Sequence, residues 1–148
     1  MKIYIATDHA GFNTKEALVP FLASLGHHVE DCGAHTFDEG DDYTDFVVKV
    51  AKAVSEGGSM GIVLGGTGEG EAMIANRFPQ VRAAVYYGGV LDVVRLSREH
   101  NDANILSLGA RFLSLSEAKE AVSVWLETPF SNNERHVRRI DKIDSYAS

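Results

Sequence analysis

Five short apolar runs punctuate the chain, at Ile3–Ala6, Val29–Cys32, Gly61–Leu64, Ala83–Tyr86 and Ile105–Leu108. Each has the length and β-branched content of a strand, and longer segments of helical period lie between them. Leu18, Leu22 and Leu25 form one helical stripe, and Phe46, Val47, Val50, Ala51 and Val54 form another. Leu115, Ala118, Val122, Trp125 and Leu126 form a third. Asn13 with Glu16 has the spacing of a capping box, and Gly26 and Gly57 stand where helix C-caps are expected. From Asn132 to Tyr146 the chain is polar and basic, with Val137, Ile140 and Ile143 at helical spacing, which predicts a final helix. A repeated strand–helix unit predicts a parallel sheet with helices on both faces. The expected fold is therefore a single three-layer α/β/α domain over residues 1–148, Rossmann-like, with a mostly parallel five-stranded sheet. No internal repeat, low-complexity stretch or linker interrupts it.

Composition narrows the picture. A chain of 148 residues suits one compact domain, which buries about 68–70% of the surface its unfolded form exposes. Hydrophobic residues at 45% and charged residues at 24% are ordinary for a globular protein and argue against disorder. The formal net charge of −7 gives no electrostatic reason to expect nucleic acid or an anionic membrane as partner, so any phosphate site must be a local cluster of cations. Cys32 is the only cysteine, which excludes an internal disulfide and fits a reducing compartment. Met1–Thr7 carries one lysine and a short apolar stretch that runs into Asp8 and His9, too short and polar for a signal or a membrane span. A soluble cytoplasmic protein is expected.

In open parallel sheets the ligand crevice lies beyond the carboxyl ends of the strands. Asp8 and His9 follow the first strand there, the Gly65–Gly70 loop follows the third, and Gly109–Arg111 follows the fifth. The loop Gly65-Gly66-Thr67-Gly68-Glu69-Gly70 leaves backbone N–H groups uncovered, able to hold an anion or a developing enolate oxygen. It is neither a dinucleotide fingerprint nor a Walker A loop, and a plain tight turn is the simpler alternative. Glu71 falls in the first turn of the helix that follows, where the helix dipole alone also favours a carboxylate. Glu69 is the rival carboxylate. Asp8 can be a helix cap or a crevice residue, and His100, in Arg98-Glu99-His100-Asn101-Asp102, can be a solvated helix end or a catalytic group. His100 and Asn101 precede the fifth strand, so their presence in the crevice needs a separate explanation. His27, His28 and His35 read as surface turn residues. Arg135 and Arg139, four apart, share a helix face and can fork onto one phosphate, unless that helix is merely a solvated basic face. Arg111 can add a third cation. No His, Cys, Asp or Glu spacing resembles a metal site, so neither metal nor cofactor is expected.

Taken together these motifs resemble the ribose-5-phosphate isomerase B family, which also holds the allose-6-phosphate and galactose-6-phosphate isomerases. The resemblance rests on Thr7-Asp8-His9-Ala10-Gly11-Phe12, Gly65–Gly70, Ala75-Asn76-Arg77, Arg98–Asn104, Leu108-Gly109-Ala110-Arg111 and Arg135-His136-x-x-Arg139, in order along nearly the whole chain. The family has two versions of its catalytic base: a cysteine just before the loop, where this chain has Gly65, or a glutamate just after it, which is Glu71 here. The resemblance implies Glu71 as base and His100 as the group that opens the sugar ring. Asn101, Asp8, His9, Arg111, Arg135 and Arg139 correspond to substrate-binding positions, beside the loop residues Gly66, Thr67, Gly68, Glu69 and Gly70. It leaves Cys32 without a catalytic role.

It further implies a homodimer, or a tetramer of paired dimers, whose sites draw on both subunits, with a sugar phosphate as ligand. Thr44, Tyr87–Val90 and Asn132–Glu134 depart from the family's usual residues and leave the choice between pentose and hexose phosphate open. A non-catalytic phosphosugar-binding module would need the arginines and the glycine loop, but neither Glu71 nor His100.

Overall fold

The computed structural model describes residues 1–146. Five strands, β1 (Lys2–Thr7), β2 (His28–Asp31), β3 (Met60–Gly65), β4 (Ala83–Tyr86) and β5 (Ile105–Gly109), make one sheet of order β2-β1-β3-β5-β4. Every pairing is parallel. The helices α1 (Phe12–Ser24), α2 (Tyr43–Ser55), α3 (Glu69–Ala75), α4 (Asp92–Glu99) and α5 (Leu115–Glu127) connect or follow the strands, and α6 (Glu134–Tyr146) ends the described chain. The expected α/β/α domain is what forms.

Alternation along the strands makes the two core layers, because successive side chains point to opposite faces. Ile3, Ile5, Ile62, Leu64, Leu106 and Leu108 pack with Leu18 and Leu22 of α1, Val94 of α4 and Trp125 of α5. On the other face Ala6, Val63 and Ile105 meet Val47, Val50, Ala51 and Val54 of α2 and Ala75 of α3. Gly61 lets α2 lie close, since a Cβ there would meet Val50 at 2.5 Å. Leu25, expected in the first stripe, is 47% exposed because α1 has already ended at Ser24.

Capping differs from the sequence expectation. Asn13 and Glu16 form no capping box, because α1 starts at Phe12 behind a short 3-10 turn, His9–Gly11. Asp8 caps that turn, its Oδ1 accepting from Ala10 N at 2.9 Å. The capping box lies instead at Ser114 and Glu117, ahead of α5. Gly26 and Gly57 take positive φ at the ends of α1 and α2, as expected of C-cap glycines.

One buried charge links the fold to the site. Lys15 is fully buried, and its Nζ donates to both Asp31 oxygens at 2.8 and 2.7 Å and to the Ala34 carbonyl at 2.8 Å. This ties α1 to the end of β2 and to the segment leading towards Asp41.

Candidate active site

The strand order reverses between β1 and β3, where ligands of open parallel sheets are held. Thr7 locks the two strand ends together, its hydroxyl donating to Leu64 O at 3.1 Å. Just beyond lies a pocket of about 260 Å³, lined by Asp8, His9, Tyr43, Thr67, Glu71 and Arg111 among others.

Glu71 is the buried acid of this pocket, 3% exposed. Its carboxylate lies against Gly65, where any Cβ would overlap it. Glycine at 65 and glutamate at 71 are therefore one device: the carboxylate fills the space a side chain at 65 would take. Burial pushes the Glu71 carboxyl above the ordinary glutamate value, with the Asp8 charge adding to the rise. The backbone N–H groups of Glu71 itself and of Gly68 point at the carboxylate and oppose the shift.

The loop glycines serve close approach. Gly68 takes φ +82, and a Cβ there would stand 3.1–3.2 Å from the backbone of β5. Ser107 of β5 fixes the turn, its hydroxyl donating to Gly68 O at 2.6 Å. Gly66 leaves room for the Arg111 guanidinium, and Gly70 for the Tyr43 hydroxyl. Thr67 and Glu69 are exposed, with Thr67 Oγ1 accepting from Glu69 N at 3.1 Å. Glu69 thus faces solvent and Glu71 does not.

His9 meets an unforeseen partner. Its Nδ1 lies 2.7 Å from Asp41 Oδ1, and the same oxygen accepts the His9 backbone N–H at 3.1 Å. The Asp41 hydrogen bond raises the His9 pKa above 6.5, with burial opposing it and the Asp8 charge assisting. Asp8, His9 and Asp41 bring potential metal-ligand atoms within 4.8 Å of one another, a grouping that sequence spacing did not reveal. The hydrogen bond from His9 Nδ1 to Asp41 Oδ1 already occupies one of the atoms each of those two residues could offer a metal.

The remaining expected residues gather elsewhere. His100 caps the C-terminus of α4, and Asn101 follows it, ahead of β5. Parallel pairing of Gly61 with Ile105 and Gly65 with Gly109 sets this segment at the opposite end of the strands from the glycine loop. Strands of this length span about 17–20 Å. The His100 ring lies 4.3 Å from that of His136, on α6. His136 is 4% exposed, not part of a solvated basic face. Its Nδ1 pairs with Ser131 Oγ at 2.7 Å, and its Nε2 accepts from Arg135 Nε at 3.3 Å. An Nε2 that accepts is unprotonated, so His136 is neutral with its proton on Nδ1. Burial lowers its pKa, as do the nearby His100, Arg135 and Arg139 charges. Arg135 and Arg139 are exposed on α6. The expected residues thus fall into two groups: Asp8, His9, the loop, Glu71 and Arg111 at the carboxyl ends of the strands, and His100, Asn101, Arg135 and Arg139 towards the other end.

A parallel α/β sheet with a buried carboxylate at its switch point and cations around it is the framework of an enzyme that handles a small anionic substrate. Residues 3–143 match the Ribose/Galactose Isomerase family, and the chain belongs to that family. Ribose-5-phosphate isomerase B of Mycolicibacterium paratuberculosis is 40% identical over 147 residues, covering 99% of this chain and 91% of that protein. The structure of Clostridium thermocellum ribose-5-phosphate isomerase B superposes with a TM-score of 0.92 at 45% identity, covering 99% of this chain and 97% of that one. Ribose-5-phosphate isomerase B of Mycoplasma genitalium, solved with bound ribulose 5-phosphate, gives 0.93 at 38% identity, with 98% and 95% covered.

Asp41, Tyr43 and His136 are the site residues that sequence reasoning missed. Asp41 lies 32 residues from its partner His9. The signal for Tyr43 was Gly70, a glycine inside a helix's first turn with no turn geometry to explain it.

Proposed function

We propose that the protein is an aldose–ketose isomerase that interconverts ribose 5-phosphate and ribulose 5-phosphate through a cis-enediolate, without metal or cofactor, as a cytoplasmic homodimer. The observation that carries this reading is Glu71: a carboxylate buried over Gly65, at the mouth of the glycine loop, with burial raising its pKa and so its basicity. A module that only bound phosphosugars would have no use for a desolvated carboxylate there. Glu71 removes the C2 proton, and N–H groups of Gly66–Gly70 stabilise the enediolate oxygen. Glu71 then returns the proton to C1, while Asp8 passes a proton between O1 and O2.

His100 opens the cyclic sugar and Asn101 steadies it. Arg111 and His9, with Arg135 and Arg139, hold the phosphate and set the register of the carbon chain. The two groups lie at opposite ends of the strands, so the complete site in this reading joins Glu71 of one subunit with His100, Asn101, Arg135 and Arg139 of the other. Exposed Val90, Val93 and Leu96, together with Met73 and Tyr87, supply apolar surface for such pairing.

The test is turnover by the purified chain on ribose 5-phosphate, allose 6-phosphate and galactose 6-phosphate, before and after exhaustive chelation. Ribose 5-phosphate is expected to be the preferred substrate, with activity unchanged by chelation. Preference for a hexose phosphate would replace the substrate. Loss on chelation, restored by one metal, would replace the mechanism.

A further inference from the structure

We propose that Asp41 is a positioning residue that clamps His9 with its Nε2–H turned to the phosphate group, making the pair the pH-sensitive part of the phosphate grip. The inference rests on the sugar-phosphate reading of the pocket and adds a residue to it. Asp41 Oδ1 takes both the His9 backbone N–H, at 3.1 Å, and Nδ1, at 2.7 Å, so one oxygen fixes the residue's backbone and its ring together. A carboxylate only accepts, which assigns a proton to Nδ1 and leaves Nε2 as the nitrogen for the pocket that His9 lines. Among the described residues Asp41 Oδ2 is buried without a hydrogen-bond partner, so none of them competes with His9 for the carboxylate through that oxygen.

In neutral His9 with its proton on Nδ1, Nε2 is a lone pair and repels a phosphate oxygen. In the imidazolium, Nε2–H is a charge-assisted donor to it. Asp41 therefore decides whether the pocket meets the anion with a donor or an acceptor. The groups around the ring fit this role. Asp8 follows β1, Arg111 comes from the turn after β5, Tyr43 and Glu71 line the same pocket, and the Phe37 ring stands edge-on at 6.2 Å. Asp8 and Asp41 favour the charged ring, while burial and Arg111 oppose it. The contribution to binding is full at low pH and is lost as pH rises through the raised His9 pKa.

Asp41→Asn keeps the shape and an accepting oxygen but removes the charge. Its effect is read by NMR titration of the His9 ring in the full chain, and by KM and kcat for ribose 5-phosphate from pH 6 to 9. His9 is expected to titrate at lower pH in the variant, and KM to rise about five- to tenfold between the two His9 titrations, where only the wild-type ring is charged, while kcat moves less. In a His9→Asn background the Asp41→Asn change should add nothing. Inorganic phosphate added to the wild-type chain should raise the His9 titration, a readout that needs neither the variant nor turnover. An unchanged His9 titration in Asp41→Asn, a fall in kcat at constant KM, or no response to phosphate would overturn the inference. If the chain turns over no sugar phosphate, the isomerase reading falls and the phosphate-dependent titration alone decides this one.

Discussion

At position 65 a hydrogen atom stands where a side chain would be, and the Glu71 carboxylate fills the space. Gly65→Ala should displace that carboxylate and lower turnover while the fold survives, measurable by kcat beside an unchanged far-UV spectrum. Glu71→Gln keeps the size but removes the proton acceptor, and is expected to lower kcat about a hundred- to ten-thousandfold. The same change should stabilise the protein. Burial raises the folded pKa of Glu71, so the native state binds its proton more tightly than the unfolded chain does. Wild-type stability therefore declines as pH rises from the ordinary glutamate value of 4.5 through the raised one. Thermal melts should show Glu71→Gln above wild type at pH 7, with the gap closing below about pH 4.5, the ordinary glutamate value. A lower melting point at pH 7 would mean the carboxylate is held by stronger hydrogen bonds than its burial implies. Arg139→Ala, by contrast, should chiefly raise KM for the sugar phosphate, since the phosphate contact proposed for it would act in ground and transition states alike.

Among the elements, α1 does more than cover the sheet, because Lys15 pins β2 and the segment beyond it. Lys15→Met removes one partner of a buried pair and should destabilise the fold by about 3 kcal/mol in denaturant unfolding. The five strands were legible because a sheet buried on both faces needs runs such as Ile62–Leu64 and Ile105–Leu108 that have few polar positions. Helices with one apolar stripe, α2 above all, were legible for the matching reason. Asn13 misled because capping-box spacing is only local: the preceding turn, capped by Asp8, had already set where α1 begins. Ser114 has the same spacing to Glu117, and only the break after β5 marks it as the true cap. In the site, the loop and Glu71 could be found because strand, glycines and carboxylate are contiguous. Asp41 with His9, His136 with His100 and Tyr43 with Gly70 could not, since each pair is joined by folding across distant elements. Buried His136 in particular was masked by the arginines on either side of it.

At the scale of the whole molecule, the governing fact is that one chain puts Glu71 and His100 at opposite ends of its strands. The proposed site needs a second copy to bring a His100 to each Glu71, in a closed pair with two equal sites. Subunit mixing tests this directly. Glu71→Gln and His100→Ala proteins are each expected to be nearly inactive. In a hybrid dimer one site regains both groups and the other lacks both. Random re-pairing of equal amounts should then restore about a quarter of wild-type activity, since half the dimers are hybrids with one working site of two. A mixture no more active than either parent, with subunit exchange shown independently by mass-tagged chains, would contradict the shared site.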